Sequence, residues 1–511
     1  MAIDPYSPCP GGTGKKVKFC CPDLLNELEK VQKMVAADQR HACLDYIEQL
    51  EARYPNRSCL LTTKALLQGQ LGDVDAARQT VDKVLETQPE NPVALAEHAL
   101  LAIDKQGAHA AIAPLQRAIA ASQQQMDYKV FEVIGVLAQS LLAEGYLAAA
   151  LAHAGLQMRI NPQDEMALRM MVELASSRSV PLFFKDIPAP FDEGPVDDAL
   201  KDEFAAALDL ARHFRWLDAA QAFGRLVERA PKAAPAWRNL GMLRAYVADD
   251  EGAAQALHRY AALDVPLDDA VEAEALAQLF DPAAGEQVDL LFVDIPIKDF
   301  EQLQARLSAD RRADALSSRE FHWDEPDQPP PRASFWLLDR PMPASGADLA
   351  NADVPESLAQ IYLFGRETDR EARIEMSAYR DQSDSAKALL AEIAGDAVGP
   401  PASEEVISST PLVQRALSWN WRLPPDMPLD RVREFTLQRQ RQALLEKWPK
   451  TPNPALDGKT PEQAAADPAL KVKTLAAIQV LEFTASVEGI DFNELRTRVG
   501  LAASSEIDPT G

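Results

Sequence analysis

Basic charge, aromatic rings, cysteine and long apolar runs are all in short supply in this chain of 511 residues. Lys and Arg number 52 against 78 Asp and Glu, a net charge of −26. Such a chain is repelled by nucleic acid and by anionic membranes unless it carries a local basic patch, and the one compact patch is Lys15, Lys16 and Lys18. Nucleic acid and membrane are therefore not expected partners. Aromatics make up only 6%, and many of the apolar residues are Ala and Leu, which favours helix over strand. The longest apolar candidate, residues 130–156, is broken by Glu132, Gln139, Ser140, Glu144 and Gly145. It reads as two amphipathic helices with a turn at Gly145, and no membrane span is expected. The first ten residues, MAIDPYSPCP, hold no apolar stretch of the kind a secretory signal needs. Five cysteines, three of them within residues 7–21, do not make a disulfide framework. The expectation is a cytoplasmic protein whose thiols are reduced or bound to metal.

From about Leu24 onward there is a train of short amphipathic helices, each of roughly a dozen residues. A spacing recurs within it: a small residue is followed twelve positions later by proline, at Cys43/Pro55, Ala77/Pro89, Ala150/Pro162, Ala219/Pro231 and Ala254/Pro266. Gly72 and Gly145 stand five positions before two of the small residues. Two short helices that cross closely need a small side chain at the contact, glycine suits the turn, and proline stops the second helix. One such hairpin cannot bury its own apolar face, but stacked neighbours can, as a solenoid. The spacing also explains Cys43 as a packing residue. His98 and His153 fall in helical patterns as core or groove residues, and His109, His213 and His258 lack partners at metal-ligand spacing. With Trp237, Leu240 and Gly241 of "WRNLGMLR" on its W-x2-L-G pattern, the chain resembles the tetratricopeptide repeat (TPR) family over roughly 24–178 and 198–281, Arg244 replacing the usual Tyr.

Two segments, "VPLFFKDIP" (180–188) and "VDLLFVDIP" (288–296), share a pattern and are expected as extended pieces that close each helical block, or as equivalent strands of a duplicated unit. Beyond Gly285 the β-branched and aromatic content rises. Strands are expected at "VDLLFVDIPI", "ASFWLLD" (333–339), "AQIYLFG" (359–365) and "ARIEMSAY" (372–379), with a helix over 298–310. Together they form a small α+β domain, an antiparallel sheet with helices on one face. His322, Asp324 and Glu325 lie together but beside a proline-rich stretch, and they read as a solvated loop. A long amphipathic helix is expected over 429–448. In "NPALDGKTPEQ", Asp457-Gly458 is a turn and Thr460, Pro461 and Gln463 form a capping box. This stretch resembles the toxin-binding segment of Xre/MbcA/ParS-type antitoxins. The likeness implies a small helical partner-binding module; no helix-turn-helix precedes it.

The segment "SPCPGGTGKKVKFCC" (7–21) is the most distinctive in the chain. A phosphate-binding Walker A loop would need glycine where Cys9 stands and a hydroxyl residue where Lys16 stands, after a strand that Ser7 and Pro8 do not end. Instead it resembles the SEC-C motif, C-x-C-x8-C-[CH], a small zinc module found on many bacterial proteins. By that resemblance Cys9, Cys20 and Cys21 are metal ligands, zinc is the implied ion, and Lys15, Lys16 and Lys18 form an exposed docking loop. Gly11 replaces the second cysteine. Three outcomes follow from that departure: zinc held with a fourth group from Asp4, Asp23 or His41; a weak or open site; or a metal-free fold held by glycine turns and the packing of Val17 and Phe19. In the family such modules bind protein partners, a chaperone or ribosomes.

The fold class expected is mainly α, a TPR-like helical-hairpin solenoid with a small α+β domain inserted before a C-terminal helical segment. Its divisions are a knuckle (1–23), repeats (24–178), an extended connector (179–197), a second helical block (198–285), the α+β domain (286–400), a linker (401–428) and a helical segment (429–511). The expected function is a non-enzymatic cytoplasmic adaptor for protein or peptide partners. The alternatives are an enzyme with its site in the α+β domain, or a toxin–antitoxin relative.

Overall fold

The computed structural model describes residues 4–122, 126–177, 180–185, 187–281, 287–316, 329–346, 349–366, 370–411, 415, 418, 420–484 and 491–502. His322, Asp324 and Glu325 lie outside them. The chain divides into two compact units, Met1–Asp281 and Pro282–Gly511.

The first unit is built from helical hairpins. After a four-residue helix α1 (Val17–Cys20) come α2 (Leu25–Ala36) with α3 (Arg40–Arg53), α4 (Ser58–Gln70) with α5 (Val74–Thr87), α6 (Pro92–Gln106) with α7 (Ala108–Ala121), and α8 (Tyr128–Ala143) with α9 (Leu147–Ile160). They are followed by α10 (Glu165–Ser176) and a short α11 (Leu182–Lys185). The second block pairs α12 (Lys201–Arg212) with α13 (Trp216–Arg229) and α14 (Ala234–Tyr246) with α15 (Asp250–Ala261), and ends on α16 (Leu267–Phe280). The repeating spacing has a direct physical meaning. Cys43, Ala77, Ala150, Ala219 and Ala254 all sit buried on the second helix of a hairpin. The prolines lie past the ends of those helices, where no further backbone N–H is needed. Gly241 shows why the crossing must be tight: a Cβ there would lie 2.7 Å from Leu257 of the partner helix.

Each hairpin turns on a residue with positive φ, at Asp38, Gly72, Gly107, Gly145, Phe214 and Ala248. The hairpin of α6 and α7 lacks both marks of the spacing, having Ile112 and Gln124 where the small residue and proline would be, and so it escapes the sequence pattern. The two blocks pack against each other within this unit. The Leu217 N–H donates to Gln116 Oε1 at 3.3 Å, and the buried His153 ring meets Trp216 edge-on at 5.0 Å. Burial lowers the pKa of His153 to about 4, and its Nδ1 lies 2.8 Å from the Ala149 carbonyl. His153 is thus a core residue.

The two similar segments, 180–188 and 288–296, take different forms. Residues 182–185 of the first are helical, whereas the second is the interior strand β1 (Gln287–Pro296). A six-stranded sheet holds the second unit together, in the order β2-β3-β4-β5-β1-β6. Its other strands are β2 (Ala313–Ala315), β3 (Ala333–Leu338), β4 (Ser357–Phe364), β5 (Arg373–Tyr379) and β6 (Ser403–Pro411), and every pairing is antiparallel. Alternate residues such as Val293, Leu337, Ile361 and Met376 point to one face. There they pack on Leu303 and Leu307 of α17 (Phe300–Ala309) and on Leu390 and Ile393 of α18 (Arg380–Ala394). The sheet runs on past residue 400: β6 lies in the range read as a linker, and its Ser/Glu-rich, solvent-exposed sequence hides it from a hydrophobicity pattern.

The expected helix over 429–448 is regular only in α19 (Leu429–Gln442), after which a wide π-turn over Ala443–Lys447 carries the chain into Trp448. The capping box is formed as read, with Thr460 and Gln463 each accepting from the other's backbone N–H at the start of α20 (Pro461–Ala465). Leu456, Ile478 and Leu495 close a small core with α21 (Lys471–Thr484) and α22 (Phe492–Arg498). Among the described residues of 451–484 and 491–502, no large apolar side chain is exposed.

Candidate metal centre and docking face

Residues 4–21 form a knuckle. The chain doubles back so that Pro8 bridges Lys16, with the Cys9 N–H donating to the Lys15 carbonyl at 2.8 Å and the Val17 N–H to the Ser7 carbonyl at 3.0 Å. This return brings Cys9 on one strand beside Cys20 and Cys21 at the end of α1. The three sulfurs lie within 4.8 Å of one another, and Cys9 Sγ is 3.7 Å from Cys21 Sγ. Cys9 and Cys21 are buried, Cys20 is half-buried, and its sulfur receives the Thr13 hydroxyl at 3.1 Å. The cluster could hold a metal ion: the donors are soft, convergent and shielded, the set that suits zinc or another thiophilic cation.

None of the three residues named for a fourth position reaches the cluster. Asp4 is exposed and accepts the Tyr6 N–H and, through its carbonyl, the Ser7 N–H. Asp23 is held by Arg57 at 2.8 and 3.2 Å, and His41 is exposed on α3. The residue that does reach it is Cys59, on the first turn of α4. Its sulfur lies 3.0 Å from Cys21 Sγ, and it is almost wholly buried. Cys59 drew no attention in the sequence, being 38 residues from Cys21. The available signal was subtraction: the repeat spacing explains Cys43 and the knuckle takes three cysteines, leaving one over.

Three of the thiols are pulled in different directions by their contacts. Cys9 is drawn far below the ordinary thiol range, chiefly by the S–H of Cys21 and then by Cys59, against the effect of burial. Cys21 is pushed up by its contacts with Cys59 and Cys9 and by burial. Cys59 is eased down by Cys21, but Cys9 and burial outweigh that and raise it to about 12. Cys43 is separate: its thiol packs near the Val31 carbonyl, and burial raises its pKa.

Knuckle and repeats are docked through glycine. Gly11 and Gly12 are buried against α4 and the start of α6, where a Cβ on Gly11 would lie 2.4 Å from the Cys59 nitrogen and one on Gly12 2.5 Å from Asn91 Oδ1. Asn91 Nδ2 donates to the Gly11 carbonyl at 2.6 Å, the Thr62 hydroxyl lies 3.1 Å from the Pro10 carbonyl, and Arg57 donates to the Cys20 carbonyl at 3.2 Å. Val17 is buried as expected, but Phe19 is 69% exposed and packs nothing into the core. Phe19 belongs instead to the outer face, with Tyr6 and the three lysines. Lys18 Nζ lies 3.5 Å from the Tyr6 ring centroid and 4.6 Å from that of Phe19, and Lys15 and Lys16 are exposed.

A second surface lies on α14. The connector runs extended beside this helix. Asn239, 1% exposed, accepts the Asp192 N–H and donates to the Asp192 carbonyl, both at 2.8 Å. The Tyr246 hydroxyl takes the Ala189 N–H at 2.9 Å, and the Phe191 ring meets Tyr246 edge-on. In the second unit an open concavity on the sheet face opposite α17 and α18 is lined by Phe292, Asp294, Arg373 and Glu375, and the Arg373 guanidinium is paired with Glu375 at 2.7 Å.

No protein-family model and no curated protein matches the chain. Among solved structures, similar chains include YrrB, described as a TPR protein with an unusual peptide-binding site, at 17% identity over 45% of this chain and 97% of that one, TM-score 0.21. Another is the TPR domain of P58(IPK), at 13% identity over 50% of this chain and 88% of that one, TM-score 0.19. At such scores neither bears on function.

Proposed function

We propose that this protein is a non-enzymatic adaptor that holds protein or peptide segments on its helical repeats and contacts a further, acidic partner through the knuckle. The observation that carries the reading is the clasp on α14. A buried Asn that satisfies both the N–H and the C=O of one extended residue recognises backbone rather than sequence, which is the chemistry of peptide capture on a repeat surface. In this chain the segment so held is its own connector. The knuckle supplies the second contact: three lysines and two exposed rings on a body of net charge −26 steer toward acidic groups. Two linked contacts raise avidity. Cys9, Cys20 and Cys21 bind zinc, which fixes the loop that carries those lysines. A cytoplasmic location agrees with five free thiols.

The test uses the full-length protein, immobilised, with the triple variant Lys15→Glu, Lys16→Glu, Lys18→Glu beside it. The wild type is expected to retain a set of acidic proteins that the variant releases, at equal helical content by circular dichroism. Identical retention by both would overturn the knuckle's part in the adaptor reading.

A further inference from the structure

We infer that Cys59, supplied by the first repeat hairpin and not by the knuckle, is the fourth ligand of a four-thiolate metal site, so that one metal ion ties the knuckle to the solenoid. The inference rests on the reading that Cys9, Cys20 and Cys21 bind metal. It goes further by completing the ligand set from a different part of the fold.

Three independent features support it. The first is convergence: Cys59 Sγ is 3.0 Å from Cys21 Sγ and interacts with Cys9 as well, so it meets the cluster at the Cys9 and Cys21 thiols. Zinc–sulfur bonds of about 2.3 Å put tetrahedral sulfurs about 3.8 Å apart. The Cys9–Cys21 separation of 3.7 Å already matches, and the Cys21–Cys59 pair opens by under about 1 Å to admit the ion. The second is the space around Gly11. A side chain there would run into the backbone of Ser58 and Cys59, at 2.4 to 2.7 Å. The place where a Cys-x-Cys pair would send its second ligand is filled by the turn of α4 that carries Cys59. The glycine and the distant cysteine are thus two halves of one exchange. The third is the anchoring around the site: Asn91 on Gly11, Thr62 on Pro10 and Arg57 on Cys20 and Asp23 hold knuckle and repeat in register. These outer contacts orient ligands as they do in other metal sites.

Thiolate ligation needs the S–H protons to leave, so each ion bound by the reduced cluster releases protons to buffer as the metal–sulfur bonds form; no oxidant is involved. The arrangement differs from a free-standing zinc knuckle in its consequence. Removal of the ion breaks the strongest link between the knuckle and α4.

The experiment is metal analysis and X-ray absorption at the zinc edge on full-length wild-type protein, purified without a metal-binding tag and reloaded with zinc sulfate under reducing conditions. The expected result is one zinc per chain with four sulfur neighbours. A wild-type site with three sulfurs and one lighter atom overturns the assignment of Cys59 but leaves the three-cysteine reading standing. A chain that takes up no zinc overturns both. So does a Cys21–Cys59 disulfide that persists under the reducing conditions. Titration with cobalt(II) chloride supplies the variant arm. Cys59→Ser is expected to bind about 100-fold more weakly, with weaker thiolate-to-cobalt absorption per ion, while Cys43→Ser, outside the cluster, keeps the wild-type spectrum. Equal affinity and spectrum in Cys59→Ser and wild type would sink the inference.

Discussion

The knuckle presents two faces made from the same few residues, and they obey different rules. On the inner face Cys9, Gly11, Gly12, Val17 and Cys21 are buried, the Pro10 and Gly11 carbonyls are held by Thr62 and Asn91, and the fit to α4 and α6 leaves no room for a Cβ at Gly11 or Gly12. On the outer face Gly14, Lys15, Lys16 and Phe19 meet solvent, and a Cβ on Gly14 would touch nothing within 4 Å. The inner face is specified by shape and ligand geometry, so it is intolerant of change. The outer side chains are specified by charge, and apart from Gly14 with its positive φ they are open to substitution without loss of the fold.

The sharpest way to break this contrast is Gly11→Cys. Judged by motif alone the substitution repairs the knuckle, since it restores a second cysteine. In this fold the new Cβ collides with the backbone of Ser58 and Cys59, and backbone cannot swing aside as a flexible side chain can. We expect a loss of about 3 kcal/mol in the local stability of the knuckle. It would be read as lost hydrogen-exchange protection at amides 9–21 while the amides of α14 keep theirs. An unchanged or stabilised knuckle would show that the docking against α4 is not what makes residue 11 glycine.

Gly12→Ala against Gly14→Ala sharpens the same contrast with one variable held fixed. The two glycines have nearly the same backbone, φ +67 and +68, so the strain of putting an L-residue there is alike, about 1–2 kcal/mol. They differ in their surroundings. Gly12→Ala also drives a methyl to within 2.5 Å of Asn91 Oδ1 and 2.9 Å of Val93. Exchange protection in the knuckle is expected to fall by about 1–3 kcal/mol more for Gly12→Ala than for Gly14→Ala. Equal losses would mean that only the backbone matters and the docked face is not tightly packed.

How much of this was legible follows from the range over which each signal acts. The helical hairpins were readable because their constraint is local and repeated: a small residue at the crossing and a proline after it, five times over, each borne out by burial of Cys43, Ala77, Ala150, Ala219 and Ala254. Four strands could be read because buried strand positions draw β-branched and aromatic residues. Strand β6 could not, because as an exposed edge it has no buried row to show, and the turns at Asp38, Phe214 and Ala248 could not, because their positive φ is imposed by the hairpin rather than invited by glycine. Within the candidate site the three knuckle cysteines stood out by spacing, and the structure gathers them. Cys59 is a tertiary fact: nothing within a dozen residues of it hints at metal, and only the folding of α4 against Gly11 puts its sulfur beside Cys21. Phe19 was misplaced for a related reason, since a four-residue helix has one inner position and Val17 takes it.

Lys15→Glu with Lys16→Glu is the mildest test and the one that separates the faces most cleanly. Both side chains are exposed, neither takes part in a salt bridge among the described residues, and the nearest ring contact is Lys16 Nζ at 5.6 Å from the Tyr6 centroid. Lys18 is left in place because it lies over both rings and helps to shape the loop. Reversal removes the local positive field without disturbing a packed atom, so exchange protection at amides 9–21 and zinc content are expected to stay at wild-type levels. Capture of acidic proteins is expected to fall, and the rate of capture should lose most of its dependence on salt, because steering by exposed charge is screened within about 8–10 Å at moderate ionic strength. A drop in zinc content or protection would place these lysines in the structural half of the knuckle. Unaltered capture with an unaltered fold would move the partner's contact off the basic loop and onto the clasp of Asn239 and Tyr246.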